Sequence, residues 1–452
     1  MEPRKLSLVT LLEYLNQAIM GIKDPRLASN ATKYSLLDAV LGAFSVFFMQ
    51  SESFLEHQRH MESNQGKSNA TNLFGMIKVP TVPQIRNIVD GISATSLSSV
   101  FSCVYQALRR DGHLKPFQYL GGLLIALDGT QYFDSHKLNC KCCSSRKHKN
   151  GTVTYFHSAI LPVIVAPGQS QVISLAPEFI TPQDGHYKQD CEVAAAKRWL
   201  KNHSSEFKGQ PITLLGDDLY SHQPMCQEIL AVGMNFIFTC LETSHTGLYD
   251  WLKYLDSIGD VKRLEIKQWN NNSRFVYSYQ YVNDIPLRDS QPAIRVNWCK
   301  LIHTRESDGK ILDENAFITR HELNEQTVPL VTEAGRSRWK TENENHNVLK
   351  TKGYHLEHNF GHGQEHLASY LLTLNLLAFL FHTVLHLTDL AYQQIRHKRG
   401  TRKGFFQDLL SLTKYLLFES WSSLINFMLY GSTSHCAANS SSIFEFGIAA
   451  KK

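Results

Sequence analysis

The chain has 452 residues, 43% of them hydrophobic and 19% charged, with a formal net charge of +5. That length supports two or three domains with real cores, and the composition is that of a globular protein rather than a disordered one. The mild positive charge permits a polyanionic partner without demanding one, and nine scattered cysteines argue against a disulfide framework and for a reducing compartment.

Residues 1–115 read as a helical N-terminal domain that could bind DNA or serve helical packing alone, with no helix-turn-helix pattern to decide between the two. Met1-Glu2-Pro3-Arg4-Lys5 opens without a signal-peptide pattern. Leu37, Val40, Leu41, Phe44, Val46, Phe47 and Phe48 crowd a helix-length window, and Pro80 to Arg86 resembles a capped helix start. Another helix is expected over Leu97 to Leu108. The polar run from Glu62 to Asn69 reads as a loop.

From Gly121 the texture changes to apolar, β-branched runs at Leu123–Leu127, Val153–Phe156, Ile160–Val165 and Val172–Leu175. A helix is expected at about Asp190–Lys201, then a strand Ile212–Gly216, a helix from Gln223 and a strand Met234–Phe238. This order builds a mixed α/β sheet flanked by helices over 120–258. Alternating runs between Val261 and Arg320, with turns at Asn270–Asn272 and Ser307–Lys310, make 259–330 a β-rich insertion. Helices follow over 331–390 and through a helical C-terminal region, 391–452, with a small-residue tail at Ala437–Ser442. The most apolar stretch, Ala368 to Leu387, contains Asn375, His382 and His386. Such groups are costly in lipid, so a buried core helix is expected there and no membrane partner.

Three acidic positions carry chemistry. One apolar run ends on Asp128, a second on Asp217-Asp218, and a basic helix, Arg336 to Glu344, carries Glu342 and Glu344. An apolar strand has no local use for a carboxylate at its end. Two such strands side by side, crossed by a glutamate-bearing helix, would form a cage of hard oxygens suited to two Mg²⁺ or Mn²⁺ ions and to phosphoryl transfer. Each residue also has a plain alternative: Asp128 a turn residue, Asp217 or Asp218 a cap, Glu342 an ion-pair partner of Arg338.

This order of strand aspartate, strand aspartate, β-rich insertion and glutamate helix resembles the DDE transposases of bacterial insertion sequences, in the branch with a tyrosine–arginine–glutamate–lysine helix signature. The resemblance covers roughly Leu123 to Gly363. It implies an RNase H-like catalytic domain and a cytoplasmic bacterial enzyme of a mobile element. Such an enzyme cuts double-stranded DNA at element ends, joins them to target DNA, and works as a homodimer pairing two ends. It implies Asp128, Asp217 and Glu342 as catalytic residues and metal ligands, with Asp218 and Glu344 as rivals. Arg338 and Lys350 would contact phosphates, and the basic cluster with Arg396, Lys398 and Arg399 would hold the DNA backbone. The tyrosine position falls on Gly335. Lys350 lies eight residues after Glu342 where the signature has seven, which on a regular α-helix overshoots by about 80°. An RNase H-like nuclease that never joins ends, and a decayed non-catalytic DNA-binding protein, are the alternatives.

Cys140 and Cys143 form a Cys-x-x-Cys pair with His136 and His157 nearby; plain thiols are the first reading and structural zinc the second. His355, His358, His362 and His366 follow the glutamate helix in a glycine-broken stretch, so they need not share a face; hydrogen-bonding to phosphates is one reading of that loop and zinc binding a weaker one. Trp298 reads as core, with stacking on an extruded base, as insertion aromatics of relatives do, as the alternative.

Overall fold

The computed structural model describes residues 6–26, 33–182, 192–270 and 273–431. Its strands are β1 (Gln118–Tyr119), β2 (Gly122–Ala126), β3 (Gly129–Ser135), β4 (Ser144–Lys147), β5 (Val153–Ile160), β6 (Val163–Val165), β7 (Ile173–Ser174), β8 (Glu178–Ile180), β9 (Ile212–Gly216), β10 (Asn235–Thr239), β11 (Lys262–Asn270), β12 (Ser273–Pro286), β13 (Arg295–Arg305) and β14 (Ile311–Thr319). The fold is mixed α/β, as the sequence implies.

One large sheet runs β11-β12-β13-β14-β10-β9-β2-β6-β7, with β1 on β2. Its centre is β2, parallel to β9, which is parallel to β10; β6 and then β7 add antiparallel on the other side. Every residue of β2 and β9 is buried. Both faces are covered, which is why these strands read as continuous apolar runs rather than alternating ones.

The four strands of the insertion belong to this same sheet. β14 pairs antiparallel with β10, Phe238 opposite Ile318, so the insertion extends the central layer from its β10 edge.

β2 and β6 continue into a second, smaller sheet, β3-β5-β4, with β8 on β5. The register is unbroken from Ala126–Val163, through the Leu161 N–H to Asp128 carbonyl bond (3.1 Å), to Gly129–Ile160. One long hairpin therefore bends at Asp128. Its base lies in the large sheet and its tip in the small one.

The N- and C-terminal helices pack together. Phe44 of helix Leu36–Phe48 meets Phe381 of helix Leu367–Thr388 with ring centroids 5.4 Å apart, and Phe48 stacks on His382 at 4.1 Å. Helix Leu367–Thr388 is long and apolar enough to cross a membrane, but 83% of its most apolar window is buried inside the protein. His382 is satisfied there by Tyr392 Oη and the Phe48 carbonyl, both at 2.8 Å.

Two local expectations fail. The polar run Glu62–Asn69 is the end of helix Phe54–Glu62 and the start of helix Asn64–Phe74. Buried Asn69 explains it: its Nδ2 donates to the carbonyls of Thr413 and Leu416, and Leu73 and Phe74 are buried just beyond. Tertiary contacts override weak helix propensity. The basic helix is also not regular. Helix Thr327–Arg336 is followed by a π-turn, Thr341–His346, and a short helix, Asn347–Thr351. The tail at Ala437–Ser442, the turn at Asn271-Asn272 and the start of the helix at Asp190 lie outside the described residues.

Candidate functional site

The parallel pairing of β2 and β9 sets Ala126 opposite Leu215, and the ladder continues with Leu127 N–H donating to the Leu215 carbonyl at 2.9 Å. The next residues on the two strands are Asp128 and Asp217. Adjacent strands lie about 4.8 Å apart, so the two carboxylates leave the sheet side by side at one rim.

Around Asp128 the charges converge. Its side chain is 18% exposed and lies 3.6 Å from His346 Nδ1. Burial pushes its pKa up to about 7; Arg338 opposes that shift, and Glu192, Glu342 and Asp217 add to it. The carboxylates of Asp128, Asp217 and Glu342 thus share one field. They are not drawn into a tight cage. Among the described residues, the one set of three or more His, Cys or carboxylate donors all within 4.8 Å of one another lies elsewhere. Glu342 is 55% exposed and pairs with Arg338 at 3.0 Å.

The rivals have other partners. Asp218 accepts from the Leu241 N–H (2.7 Å) and from Ser244 Oγ, and lies 3.8 Å from His245 Nε2. It is spent holding the segment after β10. Asp217 caps the turn Asp218–Tyr220 by accepting from the Leu219 N–H at 3.0 Å, so it has its plain structural role while standing beside Asp128. The charge of Glu344 acts on Lys340, whose Nζ donates to the Gln169 carbonyl at 2.6 Å.

The π-turn resolves the register of Lys350. An i→i+5 turn carries one residue more than an α-turn, so eight residues that include it span about what seven span on a regular helix. His346 accordingly feels both Arg338 and Lys350; burial first, then these two cations, push its pKa down to about 4. Its contact with Asp128 is therefore between a neutral imidazole and a carboxyl that ionises near neutral pH. Lys350 Nζ also pairs with Glu357 at 2.9 Å. Gly335 has a simpler reason: a Cβ there would meet the Phe317 ring at 2.7 Å, so no tyrosine fits.

Two members of the site escape a reading of the sequence. Glu192, first residue of helix Glu192–His203, accepts from the Gly129 N–H (3.0 Å) and from Tyr220 Oη (2.5 Å). It ties the residue after Asp128 to the turn after Asp217. A Cβ at Gly129 would run into the Glu192 carboxylate and push it out of this position. The only sequence signal is an acid at a helix start. The other is His346, four residues after Glu342, where a π-turn brings it to Asp128.

Of the basic cluster, Lys398 is exposed and Arg399 pairs with Asp408 at 2.8 Å. Arg396 is not a free phosphate contact: its guanidinium lies over the Phe405 ring, 5.2 Å from the centroid, and burial lowers its pKa. Trp298 is 3% exposed and meets Tyr249 edge-on, so it is core and cannot stack on a base. Of the four histidines after the glutamate helix, His362 is not available to a phosphate, whereas His358 is exposed and His355 and His366 are part-exposed. His358 packs on Phe360, and His362 is buried against His157 with Nε2 atoms 3.2 Å apart. His136 stands apart from that pair, its Nδ1 3.2 Å from the Val153 carbonyl. No family model and no curated protein matches the chain.

Proposed function

We propose that this chain is a DNA transposase whose RNase H-like catalytic domain cuts the ends of an insertion sequence and joins them to target DNA. The observation that carries the reading is the side-by-side exit of Asp128 and Asp217 from parallel β2 and β9, with the charge of Glu342 acting on the same rim. The core order β7-β6-β2-β9-β10, three antiparallel strands and then two parallel to β2, supports the RNase H-like assignment.

The donor set fits hard divalent cations: Asp128, Asp217 and Glu342 offer only oxygens, and mutually repelling carboxylates at a half-buried rim favour a cation between them. Mg²⁺ or Mn²⁺ held there, as a pair of ions, would generate the attacking oxyanion from water or a 3′-hydroxyl and stabilise the leaving 3′ oxygen.

The chain's own residues do the rest. Glu192 fixes the turn after Asp128 through Gly129 and that after Asp217 through Tyr220. Arg338, 23% exposed and compensating carboxylate charge, would bind a phosphate beside the scissile bond. Lys350, whose charge acts on His346 as that of Arg338 does, would add a second contact, and Lys398 and Arg399 would offer backbone contacts. The active form would be a homodimer holding two DNA ends.

The test uses the full chain, Mg²⁺ and a duplex carrying the DNA that flanks its own coding sequence. The expected products are a strand cut at the element end and, from a pre-cut end, a strand joined to a plasmid. Cutting without joining would make the protein a nuclease. DNA binding that needs no Mg²⁺ and yields no cut product would remove the catalytic reading altogether.

A further inference from the structure

We propose that Cys140, Cys143, His157 and His362 form a closed structural zinc site that staples the tip of the long hairpin to the segment after the glutamate helix.

The four side chains come from three places. Cys140 and Cys143 lie between β3 and β4, His157 is on β5, and His362 follows 205 residues later. Their donor atoms nevertheless all lie within 4.8 Å of one another. Cys140 Sγ is 3.7 Å from Cys143 Sγ and 3.6 Å from His157 Nε2. Cys143 Sγ is 3.4 Å from His157 Nε2 and 3.3 Å from His362 Nε2. The two Nε2 atoms are 3.2 Å apart.

These separations can be set against a tetrahedron. With Zn–S about 2.3 Å and Zn–N about 2.0–2.1 Å, its edges are about 3.8 Å for S–S, 3.6 Å for S–N and 3.3 Å for N–N. Five of the six edges fall within about 0.3 Å of their counterparts, and the sixth, Cys140 Sγ to His362 Nε2, lies within 4.8 Å. Both imidazoles present the same nitrogen to one point, and the sulfurs are free thiols rather than a disulfide. Two sulfurs and two nitrogens in a tetrahedron select zinc over Mg²⁺, which demands oxygen and octahedral geometry. With four protein ligands no position is open, so the role is structural.

The surroundings hold the ligands in place. Tyr132 lies parallel to His157, and Phe133 lies 4.5 Å from His362. The turn after His362 is anchored where Asp90 accepts the N–H groups of Gln364, Glu365, His366 and Leu367 at 2.8–3.1 Å. Lys141, between the two cysteines, pairs with Glu365 at 2.8 Å. Hairpin tip and histidine segment are thus already docked.

This inference stands without the transposase reading. The full chain, purified without chelators, should carry one zinc per molecule by elemental analysis. Exchange with Co²⁺ should give the visible absorption of a tetrahedral two-thiolate site. Cys143→Ser and His362→Ala should lose the ion, whereas Cys142→Ser, whose thiol is outside the cluster, should keep it. His362→Cys should retain a metal, with cobalt charge-transfer absorption rising as three thiolates replace two; this guards against the alanine variant failing only because it does not fold. A wild-type chain that takes up no zinc overturns the proposal. So does retention of zinc by Cys143→Ser, or equal loss from Cys142→Ser.

Discussion

The Cys140–Cys143–His157–His362 cluster and the carboxylate rim at Asp128 share two stretches of chain, the rim adding Asp217 from the end of β9, yet their donors are arranged differently. The bent hairpin gives Asp128 at its bend and three sulfur and nitrogen donors toward its tip. The segment from Arg338 gives Glu342 and His346, and then His362. At the tip four donors close to tetrahedral separations. At the bend three carboxylates stay apart around Arg338 and His346. Charge explains the contrast. Thiols and imidazoles are neutral and can pack in a buried cluster with weak hydrogen bonds. Carboxylates repel, and burial raises the cost. The first arrangement suits a permanent ion, the second a cation that arrives with substrate.

The largest expected effect breaks that contrast at the rim. Asp128→Asn or Asp217→Asn should reduce Mg²⁺-dependent DNA cutting by about 10³-fold or more, the scale on which losing one member of a catalytic unit acts. Glu342→Gln should do the same, and Glu344→Gln should stay within about twofold. Equal loss from the two glutamine variants would mean that the π-turn presents the wrong residue.

The next effect is on stability. The Asp128 pKa is raised by burial to about 7 from an ordinary 3.8. A raised folded-state value means that the folded chain holds this proton while the unfolded chain has lost it, so the contribution is full below about pH 4 and disappears as pH rises through 7. Wild-type protein without Mg²⁺ should therefore lose about 2–4 kcal/mol relative to Asp128→Asn between pH 4 and pH 8. Thermal melts of the two proteins across that range measure the difference. Adding Mg²⁺ at pH 8 should stabilise the wild type and leave the variant unchanged.

The sequence carries the rim better than its supports. Asp128 and Asp217 are legible because an acid ending a fully apolar strand is locally unexplained. The resemblance favours Asp217 over Asp218, and the loop after β10, where Leu241 and Ser244 claim Asp218, adds a physical reason. Glu192 is invisible because its purpose lies in Gly129 and Tyr220, 63 and 28 residues away. Cys-x-x-Cys with His157 is three of the four ligands; the fourth, His362, is too distant in sequence for spacing to assign it to them. The pairing of β14 with β10, which merges the insertion with the core, is likewise non-local. The helix at Asn64–Phe74 is hidden for a different reason: polar residues whose helicity comes from Asn69 binding the far end of the chain.

Glu192→Gln sharpens the view that the rim is held from behind. The amide keeps an oxygen for the Gly129 N–H but loses charge, so the Mg²⁺ concentration for half-maximal cutting should rise by about 10–100-fold, as when groups orienting metal ligands are changed. The zinc content should not move. A fall in both would mean that the two sites fold as one unit rather than being separately organised.

The smallest effects concern DNA backbone contacts, and they separate cations that reach solvent from one that does not. If Arg338, Lys350 and Lys398 each neutralise a phosphate, replacing one with alanine should reduce the slope of log affinity against log salt by about 0.9. Arg396→Ala should leave that slope alone, because its guanidinium is buried over Phe405. It should instead lower the melting temperature, having removed packing as well as charge. Lys350 is the sharpest case, since it pairs with Glu357 at 2.9 Å. Glu357→Gln frees that lysine without touching the rim, and should tighten DNA binding slightly while steepening the salt slope. A Glu357→Gln slope no steeper than wild type would mean that Lys350 points away from the DNA despite the register the π-turn gives it.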